Sequence, residues 1–219
     1  MDLVDLSRTI EPGMPLFSPS APQPAITAWQ SHAQAAASGH YEGCSCEITE
    51  ARFVTSIGTY LDSPYHFHPG GPSIEALRLE QLVLPGIVVN CPAVVARAGI
   101  GPGVLDGLDL AGKAVLFRTD WSRYWGQPEY SAGPFLTEAT ALALRERGAR
   151  LAGVDCLVVD DMGDPRRPVH VNLLAANILI VENLAALDAL PSSGFMFHAV
   201  PAKVARAAAF PVRAYALVP

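Results

Sequence analysis

The chain has 219 residues, half of them apolar, which is enough for one substantial hydrophobic core. A net charge of −6, a charged fraction of 16% and no basic run argue against nucleic acid, which needs clustered Lys and Arg on its phosphates. No apolar run reaches the roughly 18 residues of a membrane span, and nothing in the composition excludes a small, neutral or anionic organic substrate.

The opening segment, MDLVDLSRTIEPGM, is acidic and broken by proline, unlike a signal peptide. It reads as the start of a cytoplasmic chain whose thiols stay reduced. Pro12, Pro15, Pro19, Pro22 and Pro24 then predict an extended arm, and residues 30–40 a weak helix. Strand-like runs cover 46–62, 86–95, 114–119, 150–159 and 178–183. Residues 136–148 read as a helix that Gly148 stops, with Arg145 and Arg147 where the dipole favours cations. A short helix is expected over 171–177, ended by Asn177. Many strands with a few helices between them indicate an α/β fold with mixed sheets in a single domain, 1–219. GxGxxG, P-loop and GxSxG motifs are absent, so nucleotide and serine-hydrolase readings have no anchor.

Groups that bind metals or move protons concentrate in FVTSIGTYLDSPYHFHP, residues 53–69. If 55–62 is a strand ended by Pro64, alternation puts Ser56, Gly58, Tyr60 and Asp62 on one face. His66 and His68 follow across a proline-bounded turn, His68 reading as a surface residue. A Pro-rich loop delivers His170, and a very apolar strand delivers Glu182. A carboxylate on such a strand is costly unless paired, hydrogen-bonded or bound to a cation; a salt-bridged core Glu or a helix cap explains it as well. His32, His40 and His198 need no special role. Cys44 and Cys46 do not complete a tetrahedral zinc site and read as two small half-buried residues.

With these residues in order, the chain resembles the cyclase family of metal-dependent hydrolases, which includes bacterial kynurenine formamidase and isatin hydrolase. The family's His-x-Gly-Thr-His-x-Asp-x-Pro-x-His pattern is matched by Ser56-Ile-Gly58-Thr59-Tyr60-Leu-Asp62-Ser-Pro64-Tyr-His66, with serine and tyrosine in place of its two leading histidines. DLSRTIEPGMPLF is similar to the family's N-terminal arm, FRTDW and GARLAGVDCLVVDD to its central strands, and VHVNLLAANILIVENLAAL to its second metal segment. The resemblance implies a swivelling β/β/α fold and a homo-oligomer, dimer or tetramer, whose arm reaches a neighbouring subunit. It implies Asp62, His170 and Glu182 as metal ligands, His66 as the acid/base, and Phe17 against the substrate.

The expected activity is hydrolysis of a small cyclic or aryl amide by water activated at one divalent ion, Zn²⁺ or Mn²⁺. Loss of the two imidazoles leaves two carboxylates, enough to neutralise one such ion and not two. Tyr60 is expected to donate to the developing oxyanion, with Ser56 beside the substrate. Two alternatives stay open: a metal-free acid/base site for isomerisation, dehydration or cyclisation, and a binding protein without turnover.

Overall fold

The most apolar runs of the chain become parallel strands buried on both faces, as parallel sheets require. The computed structural model describes residues 1–91 and 94–219. In chain order its strands are β1 (Asp2–Asp5), β2 (Ala25–Gln30), β3 (Ile48–Arg52), β4 (Tyr60–Asp62), β5 (Val83–Asn90), β6 (Gly99–Ile100) and β7 (Ala114–Arg118). They continue with β8 (Phe135–Leu136), β9 (Leu151–Val154), β10 (Leu179–Glu182), β11 (Ser193–His198), β12 (Ala209–Pro211) and β13 (Tyr215–Val218). The α-helices are α1 (His32–Ala37), α2 (Glu138–Glu146) and α3 (Pro168–Ala175). No helix among the described residues is long and apolar enough to cross a membrane.

Nine strands form one mixed sheet in the order β1-β13-β11-β5-β7-β9-β10-β4-β12. Its centre, β5-β7-β9-β10, is parallel, and the outer pairings are antiparallel. Alternation along each strand divides the core in two. Val115, Phe117 and Ile180 join the cluster that includes Leu144 of α2 and Leu173 of α3. Leu116, Leu179, Val181 and Leu61 join Phe195 and Phe197 on the opposite face. Because Leu61 faces away from α3, its neighbours Tyr60 and Asp62 face towards it, and Glu182 shares the side of Ile180. Strand parity alone thus puts three polar side chains on the face that α3 covers.

Several element boundaries differ from the expected ones. The run 46–62 is not one strand: β3 pairs with β2 in a separate two-stranded hairpin, and only Tyr60–Asp62 enters the main sheet. Gly58 sits at φ +62°, and a Cβ there would lie 3.2 Å from Ile10 Cγ1. The chain turns where only glycine fits, so Ser56 and Gly58 do not share a strand face with Tyr60 and Asp62. The run 150–159 is a strand only to Val154. Beyond it, backbone donors are claimed by side chains, as Val159 N–H is by Glu182. The expected strand 86–95 begins earlier, at Val83, and ends at Asn90; its Pro92–Ala93 portion lies outside the described residues. Helix α3 starts at Pro168, where a proline without N–H costs nothing. The other elements follow the sequence: α1 lies within 30–40, α2 is capped by Thr137, and Gly148 and Asn177 both adopt left-handed φ.

Candidate active site

The site forms where parallel strands end, the place at which open α/β sheets usually present ligands. Glu182 is the last residue of β10, and Tyr60 lies directly opposite it on antiparallel β4. That register lets the Tyr60 hydroxyl donate to Glu182 Oε2, while Val159 N–H donates to Oε1 at 2.7 Å. Asp62, two residues along β4, is fully buried. His66 follows on a one-turn 3₁₀ helix started by Pro64, and its Nε2 stands 3.8 Å from Asp62 Oδ1.

His170 enters from the first turn of α3. Asp160 accepts the backbone N–H groups of Val169 at 2.7 Å and His170 at 3.0 Å, which otherwise have no partner at a helix start. The same carboxylate takes the His170 Nδ1–H at 2.6 Å, so Nε2 is left to face Asp62 Oδ2 at 3.7 Å and Glu182 Oε1 at 3.5 Å. Phe67 stacks on the imidazole at 4.7 Å between ring centres. The four residues Asp62, His66, His170 and Glu182, spread over 120 positions of sequence, therefore lie together.

The electrostatics of the cluster call for positive charge beside Asp62, which either a protonated His170 or a bound metal ion would supply. Both oxygens of Asp62 are buried and lack any hydrogen-bond donor, an arrangement too costly for a carboxylate without a proton or a positive partner. Burial alone would lower the His170 pKa, yet the Asp160 hydrogen bond and the charges of Glu182 and Asp62 push it up to about 10. Burial raises Glu182 to about 7, against the pull of His170. Tyr60 is pushed well above its ordinary value, by burial first and then by Glu182 and Asp62; it stays a neutral phenol that donates. Donor atoms from Asp62, His66 and His170 lie within 4.8 Å of one another, a possible Asp/His/His site for a metal ion. Acid and imidazole donors of this kind suit Zn²⁺ or another first-row divalent ion.

Residues 4–161 match the family model Cyclase, described as "Putative cyclase". The chain belongs to the cyclase family. It is 27% identical to the kynurenine formamidase of Geobacillus thermodenitrificans over 213 residues, covering 96% of this chain and 95% of that relative. Isatin hydrolase A from Ralstonia solanacearum superposes with a TM-score of 0.85 and 26% identity, covering 100% of this chain and 92% of that one. A "predicted metal-dependent hydrolase" from Bacillus stearothermophilus gives 0.77 and 25%, over 98% of this chain and 97% of that one. The expected α/β architecture with a large mixed sheet is the one these cyclase-family structures share with it.

Other residues singled out in the sequence lie around the cluster. Phe17, 41% exposed, lines a cavity of about 270 Å³ together with Leu157, Val158 and Asp160, the segment that also supplies Val159 and Asp160 to the site. Ser56 is half-buried on the bend before Gly58, and no hydrogen bond among the described residues joins it to the acids. His68 Nε2 lies 3.0 Å from the Val171 carbonyl of α3, which ties the histidine turn to that helix. Cys44 is exposed and Cys46 half-buried, both ahead of β3, and all four cysteines are unpaired. Two site residues escaped the sequence reading. Asp160 was available as a carboxylate closing the apolar run LVV ahead of a proline-rich loop; Phe67 carries no signal apart from its neighbours.

Proposed function

We propose that this protein hydrolyses a small cyclic or aryl amide, of the formamide or lactam type, or the corresponding lactone, with one divalent ion held by Asp62, His170 and Glu182. The observation that carries the reading is the pair of buried Asp62 oxygens, donor-free and flanked by imidazole nitrogens at 3.7 and 3.8 Å. Zn²⁺ or Mn²⁺ there would polarise the substrate carbonyl and bring the pKa of water towards neutrality. His66, whose side chain is 30% exposed, takes the proton of the attacking water and passes it to the leaving nitrogen. Asp160 fixes the tautomer and orientation of His170. Tyr60 and Val159 N–H hold the two Glu182 oxygens in place.

The closeness of the Asp62, His66 and His170 donor atoms favours a second ligand set, in which His66 replaces Glu182 and Glu182 carries the proton. Elemental analysis of protein purified without chelator, paired with hydrolysis of N-formyl aromatic amines, tests both. One equivalent of metal is expected, and Asp62→Asn should lose metal and activity together. Two tightly held equivalents would refute a single-ion site; no metal, with activity indifferent to EDTA, would refute metal dependence. Metal kept by His66→Ala and lost by Glu182→Gln assigns the first set; the reverse assigns the second.

The chain acts as a homo-oligomer in this reading, with the β2–β3 hairpin, which follows the N-terminal arm, packed on another copy. Support comes from Ile26, Trp29 and Ile48, large apolar side chains left exposed on that hairpin. Four unpaired thiols fit a reducing cytoplasm.

A further inference from the structure

Strand β4 carries Tyr60 and Asp62 into the site, yet it is only 3 residues long. On β10 it lies with Asp62 opposite Ile180, Leu61 opposite Val181 and Tyr60 opposite Glu182. Its other neighbour, β12, is equally short and ends in Pro211, which has no N–H to give. A slip of one residue would turn Leu61 towards α3 and send Tyr60 and Asp62 to the opposite face. So short a ladder specifies its register weakly, and the next residues supply further bonds. Asn183 stands where the partner of Thr59 would be, but at φ +60° it has left the strand, in a conformation that asparagine tolerates better than most residues. The Thr59 hydroxyl donates to the Asn183 carbonyl at 2.7 Å, and Asn183 Nδ2 donates to the Gly58 carbonyl at 2.8 Å. This clamp is itself anchored. The Tyr130 hydroxyl donates to Asn183 Oδ1 at 2.8 Å, Asn183 N–H to the Cys156 carbonyl at 3.1 Å, and Arg8 N–H to Thr59 Oγ1 at 2.9 Å. Thr59, Asn183 and Tyr130 are all buried, so a lost bond leaves a polar group with no water to replace it.

We propose that Asn183 and Thr59 are positioning residues: they fix the register of β4 on β10 and so hold Asp62 against His170 and His66. Neither touches a reacting group. Their effect passes through Asp62, which stands 3.7 Å from His170 Nε2 and 3.8 Å from His66 Nε2, and through Tyr60, which meets Glu182. Asp160 orients one imidazole through its own ring nitrogen; the clamp instead sets where the β4 carboxylate lies relative to α3 and β10. The part of the inference that concerns metal and turnover rests on the hydrolase reading above, and the part that concerns register does not.

Two substitutions release the clamp. Thr59→Val removes the hydroxyl from a side chain of the same shape, and Asn183→Gly removes the amide while keeping the left-handed backbone. Thr59→Ser keeps the hydroxyl and serves as the rescue. Amide hydrogen exchange reads the register without metal or substrate. In both releasing variants the β4 amides should exchange faster than those of β7 by about tenfold, as the loss of one buried hydrogen bond implies. General destabilisation would raise β4 and β7 together, and Thr59→Ser should stay near the wild type. Titration of chelator-stripped protein with Zn²⁺, followed by hydrolysis of an N-formyl aromatic amine, reads the consequence. Metal affinity and kcat should each fall by about tenfold or more, the usual cost of losing an outer hydrogen-bond partner, with KM nearly unchanged. A β4 as protected as in the wild type would overturn the proposal, and so would a loosened β4 that leaves metal affinity and kcat intact. A loosened β4, in a protein whose wild type neither binds metal nor hydrolyses the formamide, would support the register clamp and sink the hydrolase reading.

Discussion

Tyr60 stands where the family pattern has a histidine, and its burial decides what it can do there. A phenol kept neutral by burial and by two nearby carboxylates is a donor and not a metal ligand. Its hydroxyl is committed to Glu182, so it is poorly free to serve the oxyanion as its position in the sequence suggested. Tyr60→Phe should therefore cost stability more than chemistry. The buried Glu182 Oε2 would lose its donor, a loss of about 1–3 kcal/mol, measurable by denaturant unfolding, while kcat falls less than tenfold. Unchanged stability with a hundredfold loss of kcat would return the oxyanion role to Tyr60. Glu182 was legible as a candidate because a carboxylate on an apolar strand is expensive, whereas the roles of Asp62, His66 and His170 were legible only through the resemblance to the cyclase pattern. Asp160 was not, because its worth lies in three bonds to a helix that starts eight residues later.

At the level of elements, the sequence made β7, β10 and α2 plain, since each has an uninterrupted apolar or amphipathic pattern and a clear stop. It misjudged 46–62 because an exposed hairpin strand and a buried sheet strand share the same β-favouring composition, and only the left-handed turn at Gly58 separates them. The hairpin itself has a consequence. Two strands alone are marginal in water, and every residue of β3 is exposed, with Ile26 at 43%, Ile48 at 44% and Trp29 at 66%. A second copy covering this hairpin would bury that surface, at a gain of about 25 cal/mol for each Å². In sedimentation at micromolar concentration the unaltered chain should run as an oligomer and Trp29→Glu should shift it towards monomer. A monomeric unaltered chain would exclude the hairpin as an assembly contact.

Across the whole molecule, one buried acid away from the site links stability to pH. Asp155 follows β9 and is 1% exposed. It accepts the Thr119 backbone N–H at 3.0 Å and the Thr119 hydroxyl at 2.5 Å, joining the ends of β7 and β9. Burial lifts its pKa from the ordinary 3.8 to about 6, although the Thr119 bonds pull the other way. The folded state thus holds this proton more tightly than the unfolded chain does. The contribution is fully present below about pH 4 and is lost as pH rises through 6. Its size is about 3 kcal/mol at most, because each tenfold gain in proton affinity on folding is worth about 1.4 kcal/mol. Asp155→Asn keeps the shape and removes the titration. The difference in unfolding free energy between wild type and variant, taken at intervals from pH 4 to 7, cancels the other acids and isolates this one. Wild-type stability should fall relative to the variant across that window and level off above it. A flat difference would mean that Asp155 is already ionised at pH 4 and that the Thr119 bonds, not burial, set its charge.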